Sequence, residues 1–229
     1  MRRSFFLLIF KHLCKIKYKL IIFDCDGTLV DSETLTNSVI AQLLTEAGIK
    51  TSTEQSFELF AGKSFQDIEN HIAQHTGKLP DGQFEKAFRK RCKPLFEREL
   101  QPVPGIPKLL KHLAKLNLQS CVASNGPQIK MELTLKVTGL DKFFDQTSVF
   151  SAYDIQKWKP EPDLFLYAAE KFQVDIDQCL VIEDSVSGIK GALNAKMDVI
   201  AYNPHHRKDI KSLQVTEVQR IEEILKIIV

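Results

Sequence analysis

Five cysteines in 229 residues, with no CxxC pair among them, leave this sequence without a disulfide framework. Cys14, Cys25, Cys92, Cys121 and Cys179 are odd in number and far apart, the pattern of reduced thiols in a cytoplasmic protein. Long apolar runs are also missing. The N-terminal run Phe5–Phe10 is shorter than the roughly 7–15 residues of a signal-peptide core and lacks a small-residue cleavage site after it. It is shorter still than the roughly 20 residues that span a bilayer, so no membrane span is expected. A net charge of +2, with both signs mixed throughout, gives no case for a nucleic-acid partner. Internal repeats and low-complexity segments are absent, and a composition of 44% hydrophobic and 26% charged residues excludes disorder. Acidic residues are missing from the first nineteen positions, where Arg2, Arg3, Lys11, Lys15, Lys17 and Lys19 are all basic. Residues 1–17 are therefore read as a basic extension outside the fold, a surface anchor being the alternative.

What is present centres on Phe23-Asp24-Cys25-Asp26-Gly27-Thr28. The apolar run Leu20–Phe23 reads as a buried strand. It ends in two aspartates one residue apart, and ligands of open α/β sheets bind just beyond the carboxyl ends of strands. Two carboxylates that close repel unless a proton or cation compensates. A hard divalent ion, Mg2+ by preference, suits oxygen donors of this kind. Cys25, between them, faces the other way on an extended strand and is given no catalytic part.

From residue 32 to 101 the pattern is helical, with no strand-like alternation. Leu35, Val39, Leu43 and Ala47 share a face before Gly48. Ser52 with Gln55 and Ser64 with Asp67 have capping-box spacing. A further helix is expected from near Asp81, bent or divided by Pro94. Pro102, Pro104, Gly105 and Pro107 mark a crossing. Beyond it strands and helices alternate: a helix from Ile106 to Leu116, strand Leu118–Ala123, and a helix begun by Pro127 and closed at Gly139. A short strand Ser148–Ser151, a loop from Ala152 to Pro162 and a helix to Phe172 follow. Strand Leu180–Ile182, a helix to Lys196, strand Asp198–Tyr202 and a helix over Glu217–Ile228 complete the chain. Such alternation predicts an α/β fold with a doubly wound parallel sheet. The expected organisation is a catalytic core, 18–31 and 102–229, with an all-helical cap, 32–101, inserted after the first strand.

Four strand ends carry polar clusters: Asp24 with Asp26, Ser124 with Asn125, Lys159, and Glu183 with Asp184. These types suit phosphoryl transfer, where positioning and charge stabilisation dominate. A carboxylate can take the phosphoryl group and a second carboxyl can move the proton. A cation and a lysine neutralise the equatorial oxygens.

The motifs Asp24-Cys25-Asp26-Gly27-Thr28, Ser124-Asn125, Lys159-Pro160 and Glu183-Asp184, in that order, resemble those of the haloacid dehalogenase superfamily of Mg2+-dependent phosphohydrolases, over residues 19–229. The resemblance implies Asp24 as nucleophile, Asp26 as general acid/base with its carbonyl on Mg2+, and Lys159 as charge balancer. It also implies that Asp184 and Glu183 hold the metal with Asp24, and that Ser124 and Asn125 bind phosphate. The stretch Ser151–Pro162 looks closest to the β-phosphoglucomutase-like branch and its sugar-phosphate phosphatases of the 6-phosphogluconate kind. The mutases of that branch carry a histidine where this chain has Thr36 and an arginine near Phe65, which favours discharge of the phosphoenzyme by water.

The implied partner is a small phosphorylated metabolite, a sugar phosphate or sugar-acid phosphate, and a monomer is expected with a dimer as alternative. Lys63 could meet a substrate carboxylate and Glu33 could orient substrate, although a surface lysine and a helix-start carboxylate are equally ordinary readings. Lys157 reads as a solvated charge, Trp158 as a packing residue, and His205-His206 as a loop. A phosphosugar mutase is the alternative activity. A receiver-like module keeping a stable aspartyl-phosphate is the alternative of another class, and an inserted cap speaks against it.

Overall fold

The structure, a computed structural model, describes residues 16–60, 63–77 and 82–229; most of the basic N-terminal extension and Asp81 lie outside this range. β1 (Leu20–Phe23) is the central strand. Ile21 and Phe23 enter one apolar cluster and Leu20 and Ile22 the other, so the strand is buried on both faces and its sequence is unbroken apolar. β2 (Gln119–Ser124) pairs with it on one side and β4 (Cys179–Glu183) on the other, both parallel. β3 (Val149–Ser151), β5 (Asp198–Tyr202) and β6 (Thr216–Val218) complete a six-stranded sheet of order β3-β2-β1-β4-β5-β6. The register puts Phe23 opposite Val122 and Ile182, so the strand ends that follow lie along one edge. The strand order reverses between β1 and β4, and that switch point is where such sheets bind ligands.

Among the described residues, four helices lie between β1 and the return to the sheet: α1 (Glu33–Glu46), α2 (Thr53–Phe60), α3 (Phe65–Thr76) and α4 (Gln83–Glu99). Both capping boxes form. Gln55 N–H donates to Ser52 Oγ at 3.2 Å and Ser52 N–H to Gln55 Oε1 at 2.8 Å. Asp67 N–H donates to Ser64 Oγ at 3.2 Å and Ser64 N–H to Asp67 Oδ2 at 2.9 Å. Of the two expectations for Pro94, a bend or a division, the division does not occur: one helix runs through it. The two crossings are paired, Val103 N–H donating to the Leu29 carbonyl at 2.9 Å and Asp31 N–H to that of Gln101 at 3.0 Å. One apolar cluster runs from the sheet into the helical block, joining Phe23 and Val30 to Leu44, Ile68 and Phe96.

On the sheet's flanks lie α5 (Ile106–Lys115), α6 (Gln128–Val137), α7 (Ala152–Ile155), α8 (Asp163–Phe172) and α9 (Val186–Asn194). The loop expected from Ala152 to Pro162 thus opens with one helical turn, capped by Ser151 Oγ, which accepts from Tyr153 N–H at 3.2 Å. α10 (Lys208–Lys211) and α11 (Ile224–Ile228) close the chain. The helix expected over 217–228 is corrected here: Thr216–Val218 pairs with β5 as an edge strand, and only the last turn is α-helical. Among the described residues no helix is long and apolar enough to cross a membrane. Lys17 and Tyr18 tie the start of the described chain to Asp198, the Tyr18 hydroxyl donating to Asp198 Oδ2 at 2.7 Å.

Candidate active site

Every strand-end cluster borders one cavity of about 800 Å³, which opens between the carboxyl edge of the sheet and the helical block. Asp24 ends β1, its N–H held by the Ile182 carbonyl at 3.0 Å. Its Oδ1 accepts from Lys159 Nζ at 2.5 Å, and the same ammonium donates to Glu183 Oε1 at 2.7 Å. Burial raises the Asp24 pKa to about 7, Lys159 pulling against that rise and Glu183 adding to it. Burial would also strip the proton from Lys159, but its two carboxylate partners override this and raise its pKa. Lys157 is exposed whereas Lys159 is buried.

Glu183 has neither oxygen free: Oε2 accepts from Ser185 N–H at 2.8 Å and Ser185 Oγ at 2.9 Å. Gly188 leaves the room for this, since a Cβ there would lie 1.7 Å from Glu183 Oε1. Asp184 is buried, and its Oδ1 accepts from the Thr28 hydroxyl at 2.7 Å. Its pKa is raised well above the carboxylate range by burial first, then by Glu183, Asp24 and Glu33. Gly27, at φ +79°, sits directly beneath it, and a Cβ would fall 2.2 Å from Asp184 Oδ2.

Asp26 behaves differently from Asp24. Burial alone would raise its pKa, but Lys130 Nζ at 2.7 Å from Oδ2 and the Ser32 hydroxyl at 2.8 Å from Oδ1 lower it. Asp24 and Asp26 are therefore each paired with a different lysine.

Ser124 Oγ, at the end of β2, accepts from Gly126 N–H at 3.2 Å. The Asn125 side chain is engaged with the Lys159 backbone, accepting from its N–H at 2.9 Å and donating to its carbonyl at 3.3 Å. Asn125 thus fixes the loop that delivers Lys159. Glu33 and Lys63 both line the cavity, Lys63 from an exposed position after α2. Burial raises the Glu33 pKa against the lowering effect of Arg207 and His205. The Thr36 hydroxyl donates to the Glu33 carbonyl at 3.0 Å. Trp158 meets Tyr153 edge-on, with ring centroids 5.7 Å apart. His205 meets Phe57 of α2 at 4.9 Å. Cys25 is buried, with its sulfur 3.6 Å from the Thr134 hydroxyl.

The donor set suits Mg2+. Asp24 and Asp184 are both buried, and the charges of Glu183 and Asp24 raise the proton affinity of Asp184, a repulsion that a cation relieves. Among the described residues no three His, Cys, Asp or Glu side chains form a metal cage. Mg2+ needs none, because it binds through one or two carboxylates and keeps several waters.

Lys130, Ser32 and Arg207 lie outside the four sequence motifs, and Thr28, which closes the first of them, serves Asp184. A signal existed for Lys130: it stands in the first turn of α6, where the helix dipole disfavours a cation.

Comparison with known proteins adds three likenesses and a family match. The haloacid dehalogenase-like hydrolase family profile matches residues 21–202. The 6-phosphogluconate phosphatase of Escherichia coli K12 is 33% identical over 212 residues, covering 90% of this chain and 94% of that protein. A phosphorylated carbohydrates phosphatase of Thermotoga maritima is 27% identical over 213 residues, covering 91% and 97%. The crystal structure of a haloacid dehalogenase-like protein of unknown function from Agrobacterium tumefaciens superposes with a TM-score of 0.82 at 33% identity, covering 92% of this chain and 97% of that one.

Proposed function

The chain belongs to the haloacid dehalogenase-like hydrolases, and from that premise we propose that it is a Mg2+-dependent phosphatase of a sugar phosphate or sugar-acid phosphate, such as 6-phosphogluconate, working through an aspartyl-phosphate. The observation that carries this reading is the meeting of Asp24, Lys159 and Glu183 at the sheet's switch point, with Asp26 and Asp184 beside them on the same cavity.

In the proposed cycle an Asp24 oxygen attacks phosphorus while the ester P–O bond breaks, and Asp26 gives a proton to the departing alkoxide. Asp26 then takes a proton from a water whose oxygen attacks the phosphorus of the aspartyl-phosphate. That step frees the Asp24 carboxylate and inorganic phosphate and restores the proton to Asp26. The Lys130 ion pair favours the base half of this cycle. Lys159 balances charge at Asp24 and the transferring oxygens. Ser124 supplies a phosphate contact from the end of β2, and Asn125 serves by holding the Lys159 loop. Mg2+, held by Asp24 and Asp184 with the Asp26 carbonyl, would add Lewis-acid polarisation of the phosphoryl oxygens.

Residues 32–101 serve as a cap over residues 18–31 and 102–229. The cap contributes Lys63, which with Glu33 faces the part of the substrate remote from phosphorus. A sugar acid offers Lys63 a carboxylate. The buried, unpaired thiols Cys25, Cys92, Cys121 and Cys179 fit a cytoplasmic protein, and we assign a monomer.

The test is phosphate release across sugar phosphates and sugar-acid phosphates with Mg2+, with Asp24→Asn as the blank. Release above the blank on sugar-acid phosphates supports the proposal. Silence across the panel, or an Asp24→Asn protein as active as the parent, overturns it. Isomerised product with little net phosphate would identify a mutase, and a stable phosphoprotein without turnover a receiver-like module.

A further inference from the structure

We infer that Lys130 is a positioning residue for Asp26, aiming its carboxylate at the water that discharges the phosphoenzyme; this rests on the phosphatase reading above. The two oxygens of Asp26 are held by different elements. Lys130 Nζ, from α6, lies 2.7 Å from Oδ2, and the Ser32 hydroxyl, at the entry to α1, lies 2.8 Å from Oδ1. One donor would leave the carboxylate free to swing about the other, whereas two fix both of its torsions. The lysine itself is confined, with 30% of its side chain exposed and its ammonium 5.9 Å from the centre of the Phe96 ring on α4.

Position adds a second reason. A cation in the first turn of a helix opposes the macrodipole. Lys130 occupies that turn of α6, and the carboxylate that offsets the cost lies 104 residues away in sequence. Lys130 is not the charge balancer of the nucleophile, because Asp24 is paired to Lys159. Its hydrogen bond and ion pair are made to Asp26, the base that acts on the attacking water.

The test uses p-nitrophenyl phosphate with Mg2+, whose leaving group departs without a proton, so that formation of the phosphoenzyme does not need Asp26. In rapid-quench kinetics Lys130→Met is expected to keep the nitrophenol burst within about twofold of the parent, while steady-state turnover falls about 10–100-fold and phosphoenzyme accumulates. Lys130→Arg, which restores a cation and donors, should recover turnover to within a few-fold. A burst and turnover that fall together would mean a merely structural role and overturn the inference. So would unchanged turnover, or a raised KM at unchanged kcat, which would make Lys130 a substrate contact. Should Lys130→Met not fold, Ser32→Ala removes the other anchor and must show the same retained burst with slowed turnover. A parent enzyme that gives no burst and no phosphate, with Asp24→Asn indistinguishable from it, overturns the phosphatase reading and this inference with it.

Discussion

Replacing Gly188 by alanine sets two opposing effects against each other. Gly188 lies in the first turn of α9, where alanine gains up to about 1 kcal/mol over glycine in helix propensity. The added Cβ, however, would stand 1.7 Å from Glu183 Oε1 and 2.0 Å from Cδ, far inside van der Waals contact. Glu183 cannot retreat easily, because it is fully buried and both its oxygens are engaged. Displacing it leaves Lys159 Nζ with one carboxylate instead of two, and breaking a buried ion pair costs about 3–5 kcal/mol. The expected net loss is about 2–4 kcal/mol, or roughly 5–15 °C in thermal midpoint for a chain of this length. Thermal unfolding followed by circular dichroism measures it, with Lys190→Ala at an exposed position of the same helix as the control. Phosphate release should fall in the same variant, because Lys159 loses a partner that places it on Asp24. A Gly188→Ala protein as stable as the parent and fully active would show that the Glu183–Lys159 pair does not organise the site.

Mg2+ should stabilise the protein against heat, because a cation relieves the repulsion of Asp24 and Glu183 on the buried Asp184. At about 100 times its dissociation constant the gain is about 2.7 kcal/mol, and the midpoint should rise by roughly 5–10 °C in a thermal scan against EDTA. In Asp184→Asn that rise should disappear. A pH effect is expected at the α3 capping box. Hydrogen bonds from Ser64 lower the Asp67 pKa, so Asp67 contributes stability above its unfolded pKa and loses it as pH falls through the lower folded value. Asp67→Asn should therefore narrow its stability deficit to the parent below about pH 4 in urea titrations, and a deficit independent of pH would contradict the assignment.

The strands and the site motifs were legible for one physical reason. Parallel strands buried on both faces read as unbroken apolar runs, and chemistry gathers where those runs stop, as at Phe23-Asp24 and Ile182-Glu183. The C-terminal segment misled because Val218, Ile221, Ile224 and Ile228 are spaced as on a helix. A three-residue edge strand is too short to show alternation, and its pairing of Thr216 with Ile200 is a tertiary contact that local pattern does not carry. Pro94 does not divide α4, which buries Cys92 and Phe96 on either side of it and runs on. At the site, the types of residue were readable and their pairings were not. Asn125 holds a backbone 34 residues away, and Lys130 meets Asp26 across 104 residues.

The central claim is that phosphorus is transiently esterified to Asp24. The most direct measurement is acid quench of the working enzyme with Mg2+ and a turned-over phosphate ester, followed by borohydride reduction and peptide mass analysis. The aspartyl-phosphate mechanism predicts homoserine at position 24 in the parent and none in Asp24→Asn. Rapid turnover with no modification at position 24, or with modification at another residue, would contradict it.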